Sequence, residues 1–237
     1  MNNIPQALYQ KVKQHLLAHI QNGTWPVHHR LPSEHELTAQ FGVSRMTVNR
    51  ALRELAAEGR LVRLQGVGTF VAPPKAQSAL FEVRSIAEEI ARRGGKHHCR
   101  VLSVQALATD AATAEALNLP AGAHAYRSMI VHFENHVPIQ YEDRWVNPAA
   151  VPDYLAQDFH HITPHDYLTA VTPFSEGEHI IEAVLPPKHI AAALAMARGE
   201  PCLVVERRTW SGKLAVTQVR LWFAAGRYRL QGRFSAD

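Results

Sequence analysis

Residues 31–52 limit the possible folds of this chain most strongly, because they predict two helices joined by a tight turn. Ser33 and Glu36 have the S-x-x-E spacing of a capping box, in which each residue satisfies a backbone N–H group at a helix start. Gly42 stands at the turn, where a helix-turn-helix often requires glycine. Ser44 is placed to cap the second helix. The expected helices lie at about 33–40 and 44–58.

The second of these helices combines an apolar stripe with hydrogen-bonding residues near its start. Val48, Leu52 and Leu55 share one face at helical spacing, whereas the neighbouring positions carry donors and acceptors. Such a helix suits the major groove of DNA, where side chains read base edges. The candidate DNA contacts on this helix are Arg45, Thr47, Asn49 and Arg50, together with Ser44 at its start, and the candidate backbone contacts are Ser33, His35 and Arg53.

A first amphipathic helix at 6–21 and a short hairpin complete the N-terminal part. Strands at 61–64 and 68–71 flank a glycine-containing turn. Gln65 and Gly66 at its tip are further candidate DNA contacts, since glycine lets the backbone approach a phosphate or the minor groove closely. Three helices followed by a hairpin predict a winged helix-turn-helix.

The charge distribution favours an anionic partner for this part of the chain. Residues 1–75 contain nine Lys/Arg and four Asp/Glu, a net of +5, whereas residues 76–237 have a net of −1. The excess positive charge therefore lies with the two-helix motif, as expected for a protein that binds double-stranded DNA.

Length and composition predict two domains in a cytoplasmic protein. At 237 residues with 46% hydrophobic residues, the chain can form two cores. We expect a DNA-binding domain at 1–73, which ends at Pro73, a linker at 74–80, which begins at Pro74, and a second domain at 81–237; the two adjacent prolines favour an extended, semi-rigid connection. There is no apolar run of membrane-spanning length and no signal-peptide pattern at the start. Cys99 and Cys202 are expected to stay reduced.

The C-terminal part contains a weak internal repeat at a spacing of 77 residues. Residues 116–122 resemble 193–199, and Trp145 matches Trp222. Each half reads as strand, short helix, strand, turn and strand, so two halves predict an α+β fold with one antiparallel sheet, helices on it and a cleft between the halves. These segments are expected at 100–108, 110–118, 124–133 and 138–146, and again at 179–185, 187–197, 202–210 and 215–223. The alternative is a chance similarity between two Ala/Leu-rich helices.

The strand at 138–146 alternates between apolar and polar side chains. Gln140, Glu142 and Arg144 share its polar face. Two interpretations are open: this face lies in water, as in an ordinary antiparallel strand, or it lines the cleft.

The motifs of the N-terminal part resemble those of the GntR family of bacterial transcription regulators. They lie at 31–34, 41–48, 51–52, 58–59 and 66–71. Asn49 stands where many family members have arginine; asparagine pairs well with adenine, whereas arginine prefers guanine, so the departure favours half-sites that contain A·T pairs.

Residues 80–237 resemble the effector-sensing (UTRA) domain of the HutC subfamily, whose fold is similar to chorismate lyase. The resemblance is carried by 137–148, 200–204, 208–210 and 226–234. It implies a homodimeric repressor of histidine-degradation genes that binds a palindromic operator and leaves it when the small molecule urocanate binds. The segment at about 227–234 is expected to pair across the twofold axis.

The resemblance also implies roles for cleft residues. In sugar-phosphate-sensing relatives the position of Glu142 contacts the ligand and the position of His132 is an arginine that holds the phosphate, so a histidine argues against a phosphorylated effector. Urocanate joins an imidazole to an acrylate; Arg144 is the first choice for its carboxylate and Glu142 for its ring N–H. The other candidates for the effector site are Ser85, Thr163, His165, Thr217 and Phe223.

Three alternatives follow from the same residues. Fifteen histidines form no H-E-x-x-H motif and no C-x-x-C occurs, so we expect no metal and no cofactor. An enzyme is suggested by the likeness to chorismate lyase, but no nucleophile has a matched base. A repressor with another ligand, such as an amino sugar phosphate or a phosphonate, is disfavoured by His132.

Overall fold

The computed structural model describes residues 8–64, 66–72, 76–79 and 83–231. The chain divides into two compact units, Met1–Ala76 and Gln77–Asp237. In the described residues, no helix has the combination of length and apolarity that crossing a bilayer requires.

The first unit has the predicted winged helix-turn-helix. Its elements are α1 (Leu8–Gln21), α2 (Glu34–Phe41), α3 (Arg45–Ala57), β1 (Leu61–Leu64) and β2 (Gly68–Val71). The capping box is formed: the Ser33 hydroxyl accepts from the Glu36 N–H at 3.2 Å, and the Ser33 N–H donates to the Glu36 carboxylate at 2.7 Å. Gly42 adopts a left-handed φ of 61° at the turn. The three helices enclose a core whose members include Val12, Leu37 and Leu52.

The second unit is an antiparallel sheet with helices packed on it, so the α+β class is confirmed. Its elements are β3 (Ala76–Ala79), α4 (Ile86–Arg92), β4 (His97–Ala108), α5 (Ala111–Ala116), β5 (His124–Glu134), β6 (Val137–Val146), a 3-10 turn (Tyr154–Ala156), α6 (Pro164–Val171), β7 (Glu176–Val184), α7 (Lys188–Ala193), β8 (Cys202–Ser211), β9 (Leu214–Ala224) and β10 (Tyr228–Gln231). The main sheet has the strand order β4-β5-β6-β9-β8-β7.

The internal repeat predicted from the sequence is confirmed by the backbone. Asn118 and Ala195, which are 77 positions apart, both have left-handed φ values, of 53° and 48°. In the centre of the sheet Asp143 pairs with Arg220, its own counterpart in the repeat. A pseudo-twofold axis therefore passes between β6 and β9, where the two halves meet.

Three features differ from the sequence-based expectations. The described part of the 227–234 segment, β10, pairs with β3 of the same chain, a pairing that the sequence did not predict, and its pairing across a twofold axis stays a prediction. β3 itself lies within the segment predicted as a linker. Helix α6 was not predicted, because Pro164 resembles a helix breaker; it occupies the first turn, where its missing N–H costs nothing, and Thr163 caps the helix.

Candidate functional site

The start of α3 presents side chains that are free to contact DNA. Arg45 is exposed and, within the described part of the chain, its guanidinium has no hydrogen-bond or ion-pair partner; the same holds for Arg53. Thr47 is half-buried, and its hydroxyl lies 2.9 Å from the Ser44 hydroxyl, which caps the helix. His35 is exposed in the first turn of α2.

Asn49 is held by a carboxylate from the preceding helix. Its Nδ2 donates to Glu34 Oε1 at 2.9 Å, and the guanidinium of Arg63 donates to the same oxygen. Glu34 therefore connects the start of α2, the middle of α3 and the first strand of the wing. A carboxylate only accepts hydrogen bonds, so this contact decides which end of the Asn49 amide faces outward.

Two further candidates on this surface are positioned by packing. The Arg50 guanidinium lies 3.8 Å from the centroid of the Tyr9 ring, and its Nε donates to Glu54 at 3.2 Å. Gly66 has a φ of 74° at the wing tip, with open space around the position of a Cβ atom. Gln65 lies outside the described residues.

A polar cleft occupies one face of the sheet in the second unit. Strands β6, β9, β8 and β7 form its floor, and residues from α4, α6 and β10 face them. Five of the predicted effector residues line it: Glu142, Arg144, Thr163, His165 and Phe223. Lining residues that the sequence did not single out include Arg84, Glu89, His179, Arg207 and Tyr228.

The polar face of β6 lies in the cleft and not in water. Gln140, Glu142 and Arg144 are only 3%, 3% and 4% exposed. All three line the cleft, so the interpretation that placed this face in solvent is wrong. A strand that buries three polar side chains must provide them with partners, because unpaired buried polar groups are costly.

Glu142 and Arg144 provide most of that pairing for each other. Arg144 Nε donates to Glu142 Oε1 at 2.7 Å, and Arg144 Nη1 donates to the Thr217 hydroxyl at 3.3 Å. Burial alone would raise the pKa of Glu142, but the Arg144 charge and the hydrogen bonds outweigh it and hold that pKa below its usual range. Glu142 is therefore an ionised acceptor.

Three predicted residues stand behind the cleft as supports. Ser85 Oγ lies 3.2 Å from the Thr163 hydroxyl and donates to Asp166 at 3.1 Å. His132 Nε2 is 3.5 Å from Glu142, and its Nδ1 is 3.0 Å from His97 Nε2. The Thr217 hydroxyl accepts a hydrogen bond from Arg144 Nη1. None of the three lines the cleft.

Arg207 is the functional candidate that the sequence analysis missed. Its Nε donates to His179 Nε2 at 2.6 Å. Burial, followed by the charge of Arg144, lowers its pKa to about 10. Only the strand register would have revealed it: Arg144 and Arg207 both pair with Val219, from opposite sides of β9.

The same environment keeps His165 neutral. Burial, followed by the positive charges of Arg144 and Arg207, lowers the pKa of His165 to about 4. The imidazole thus offers one donor and one acceptor nitrogen to the cleft near neutral pH.

Comparisons with known proteins agree with both units. The patterns described as "Bacterial regulatory proteins, gntR family" and "UTRA domain" match residues 8–71 and 92–229. The chain is 54% identical over 236 residues to the histidine utilization repressor of Pseudomonas aeruginosa, covering 100% of this chain and 94% of that protein.

Solved structures show the same architecture. The C-terminal domain of the histidine utilization repressor from Pseudomonas syringae pv. tomato matches 60% of this chain and 100% of its own, with 45% identity and a TM-score of 0.57. PhnF from Mycobacterium smegmatis matches 98% of this chain and 100% of its own, with a TM-score of 0.66; at 23% identity this likeness shows the fold alone.

Proposed function

Since the chain belongs to the GntR family of transcription regulators, in its HutC subfamily, we propose that it represses histidine-utilisation genes in response to urocanate. The role as a repressor of these genes is supported by 54% identity to a histidine utilization repressor along the whole chain. The observation that favours a small polar effector is the buried Glu142–Arg144 pair on the cleft floor.

On the DNA side, α3 enters the major groove with Arg45, Thr47 and Asn49 toward base edges. The exposure of Arg45, and the absence of any partner for its guanidinium among the described residues, support this role, because such a donor is available to a base. Arg50, Arg53 and the caps at Ser33 and Ser44 contact the backbone or orient the helix starts, and the wing tip at Gly66 reaches the adjacent groove.

On the effector side, urocanate lies on the sheet with its imidazole N–H toward Glu142. An ionised carboxylate is the strongest acceptor available for such a donor. His132, behind Glu142, supplies no permanent positive charge of the kind that an arginine gives to a phosphate.

Two copies of the chain bind one palindromic operator. A single winged helix covers little DNA surface, whereas two half-sites multiply the specificity. The dimer belongs to the proposal and is tested together with it, by the stoichiometry of the DNA complex.

A gel-shift titration tests the function directly. The probe is the DNA upstream of the histidine-degradation genes, with and without urocanate, and glucosamine 6-phosphate is the control ligand. We expect two chains per operator, release by urocanate and no release by the control. Binding that does not respond to urocanate would reject urocanate as the effector. Failure to bind this DNA in competition with unrelated DNA would reject the histidine-degradation genes as the target.

A further inference from the structure

We propose that Arg207, and not Arg144, holds the carboxylate of the effector. This inference rests on the proposed function, because it concerns the same cleft. It assigns a site for a planar monocarboxylate whose two ends bind different strands: the ring N–H at Glu142 on β6, and the carboxylate at Arg207 on β8.

The two charged side chains of β6 in the cleft already balance each other. Arg144 already donates to the Glu142 carboxylate and to the Thr217 hydroxyl, and its side chain is 4% exposed. The two opposite charges neutralise each other inside the protein. A ligand carboxylate at Arg144 would compete with Glu142 and leave one of two buried anions without a counter-charge, which is costly.

The positive charge of Arg207 on β8 has no such carboxylate partner among the described residues. Arg207 lies in the same cleft, and no Asp or Glu of the described residues comes within 4.0 Å of its guanidinium. Within the described part of the chain its one hydrogen bond runs from Nε to His179, so both Nη groups remain available. A half-buried cation with two free donor groups has the fork geometry that a carboxylate accepts bidentately.

The strand register fixes the distance between the two proposed binding positions, on β6 and on β8. Arg144, Val219, Arg207 and His179 form one row across β6, β9, β8 and β7. Adjacent strands are about 4.8 Å apart, which places the two arginines about 10 Å apart at their Cα atoms. The effector thus crosses β9.

The surface between the two ends is apolar. Leu221 pairs with Glu142 on one side and with Val205 on the other, and it lines the cleft. A flat conjugated ligand finds an apolar floor under its middle and charged partners at its ends. His165, which is neutral, lines the same cleft.

Isothermal titration of matched ligands and variants tests this assignment. The ligands are urocanate and its methyl ester, which keeps the imidazole and the double bond but carries no charge. The proteins are the wild type, Arg207→Gln, Arg207→Lys, and Arg220→Gln as a control on an exposed arginine that pairs with Glu206. Thermal unfolding of each variant checks that it is folded.

The expected result is a loss of selectivity in Arg207→Gln. Wild type and Arg220→Gln should prefer urocanate over its ester by at least about tenfold, the size of one charge-assisted contact, and Arg207→Gln should bind both ligands about equally. Arg207→Lys should retain part of the preference, because it keeps the charge and loses the fork. Undiminished preference for urocanate in Arg207→Gln would overturn the proposal.

A further measurement separates this inference from the effector identity. If the wild type binds neither ligand, urocanate is rejected as the effector, and the Arg207 site is tested with sodium acetate alone. The arginine Nε–H resonance that disappears in the Arg207→Gln spectrum should shift with acetate in the wild type. A resonance that stays unchanged would overturn the anion site as well.

Discussion

In the proposed DNA complex, Asn49 meets the DNA with its amide already oriented, because its Nδ2 donates to a carboxylate oxygen of Glu34. The second N–H and the Oδ1 remain, and together they match the N7 acceptor and N6 donor of adenine. Guanine presents two acceptors at the same places, so Oδ1 would face its O6. Turning the amide over would direct Oδ1 at Glu34, which repels it. In the proposed complex, the Glu34 carboxylate therefore favours adenine at the base pair that Asn49 contacts.

We predict that Glu34→Gln relaxes this base preference. Glutamine can donate or accept, so the Asn49 amide can take either orientation. In the wild type, replacing the contacted adenine by guanine should cost about 1–3 kcal/mol, and the variant should lose most of that difference. Competition binding with the two operators measures it. Glu88→Gln, an exposed carboxylate on α4, is the control, and an unchanged ratio in Glu34→Gln would contradict the prediction.

The proposed contact between Arg45 and the operator permits a simpler test. Arg45→Ala removes an exposed guanidinium that forms no hydrogen bond or ion pair with the described residues, so its effect on stability should be small. Its effect on operator binding should be a loss of about 1–3 kcal/mol, the size of one base-reading contact. Gel-shift titration together with thermal unfolding separates the two quantities, and wild-type operator affinity would exclude Arg45 from the interface.

At the scale of elements, local signals in the sequence predicted most of the fold. Capping at Ser33 and Ser44 marked both helices of the motif, and the 77-residue repeat predicted the two halves of the sheet. The sequence analysis missed helix α6 and the pairing of β10 with β3, for physical reasons. Helix α6 begins at a proline, which locally resembles a helix end, and the partner of β10 depends on a contact with β3 more than a hundred residues away in sequence.

The turn of the motif permits a quantitative test. Gly42 has a φ of 61° and nothing within 4 Å of a Cβ position, so a side chain there meets conformational strain and no clash. Gly42→Ala should lower the free energy of unfolding by about 1–2 kcal/mol, and Gly42→Asn by less, since asparagine tolerates the left-handed region. Urea unfolding measures both. Equal stability of Gly42→Ala and the wild type would show that the turn rearranges.

At the scale of the whole molecule, the proposed switch is a coupling between effector and operator affinities. If urocanate weakens operator binding by some factor, the operator must weaken urocanate binding by the same factor. The two units also differ in charge, with the excess of Lys and Arg in residues 1–75. Operator binding should therefore depend steeply on salt, because counterions leave the DNA when phosphates are neutralised.

Two half-buried histidines predict the pH dependence of stability. His97 and His165 each have a pKa of about 4, lowered from 6.5 mainly by burial. Between pH 6.5 and about pH 4 these histidines bind more protons in the unfolded chain than in the folded one. The free energy of unfolding therefore falls as the pH drops through this range. Urea unfolding from pH 7 to pH 5 should show a smaller decrease for His97→Gln than for the wild type or for His35→Gln, an exposed control. Identical slopes would contradict this assignment.

The sequence by itself determined the features that depend on neighbours along the chain: the capped helices, the glycine turn, the wing strands, the repeat and the segregation of charge. Only the tertiary structure decided which charges pair. Glu34 meets Asn49 and Arg63 across three elements, and Glu142 neutralises Arg144. Arg207 is left facing the cleft with no Asp or Glu within 4.0 Å among the described residues. Such pairings depend on the register between strands and helices far apart in sequence, and a shift of one residue would turn every side chain to the opposite face.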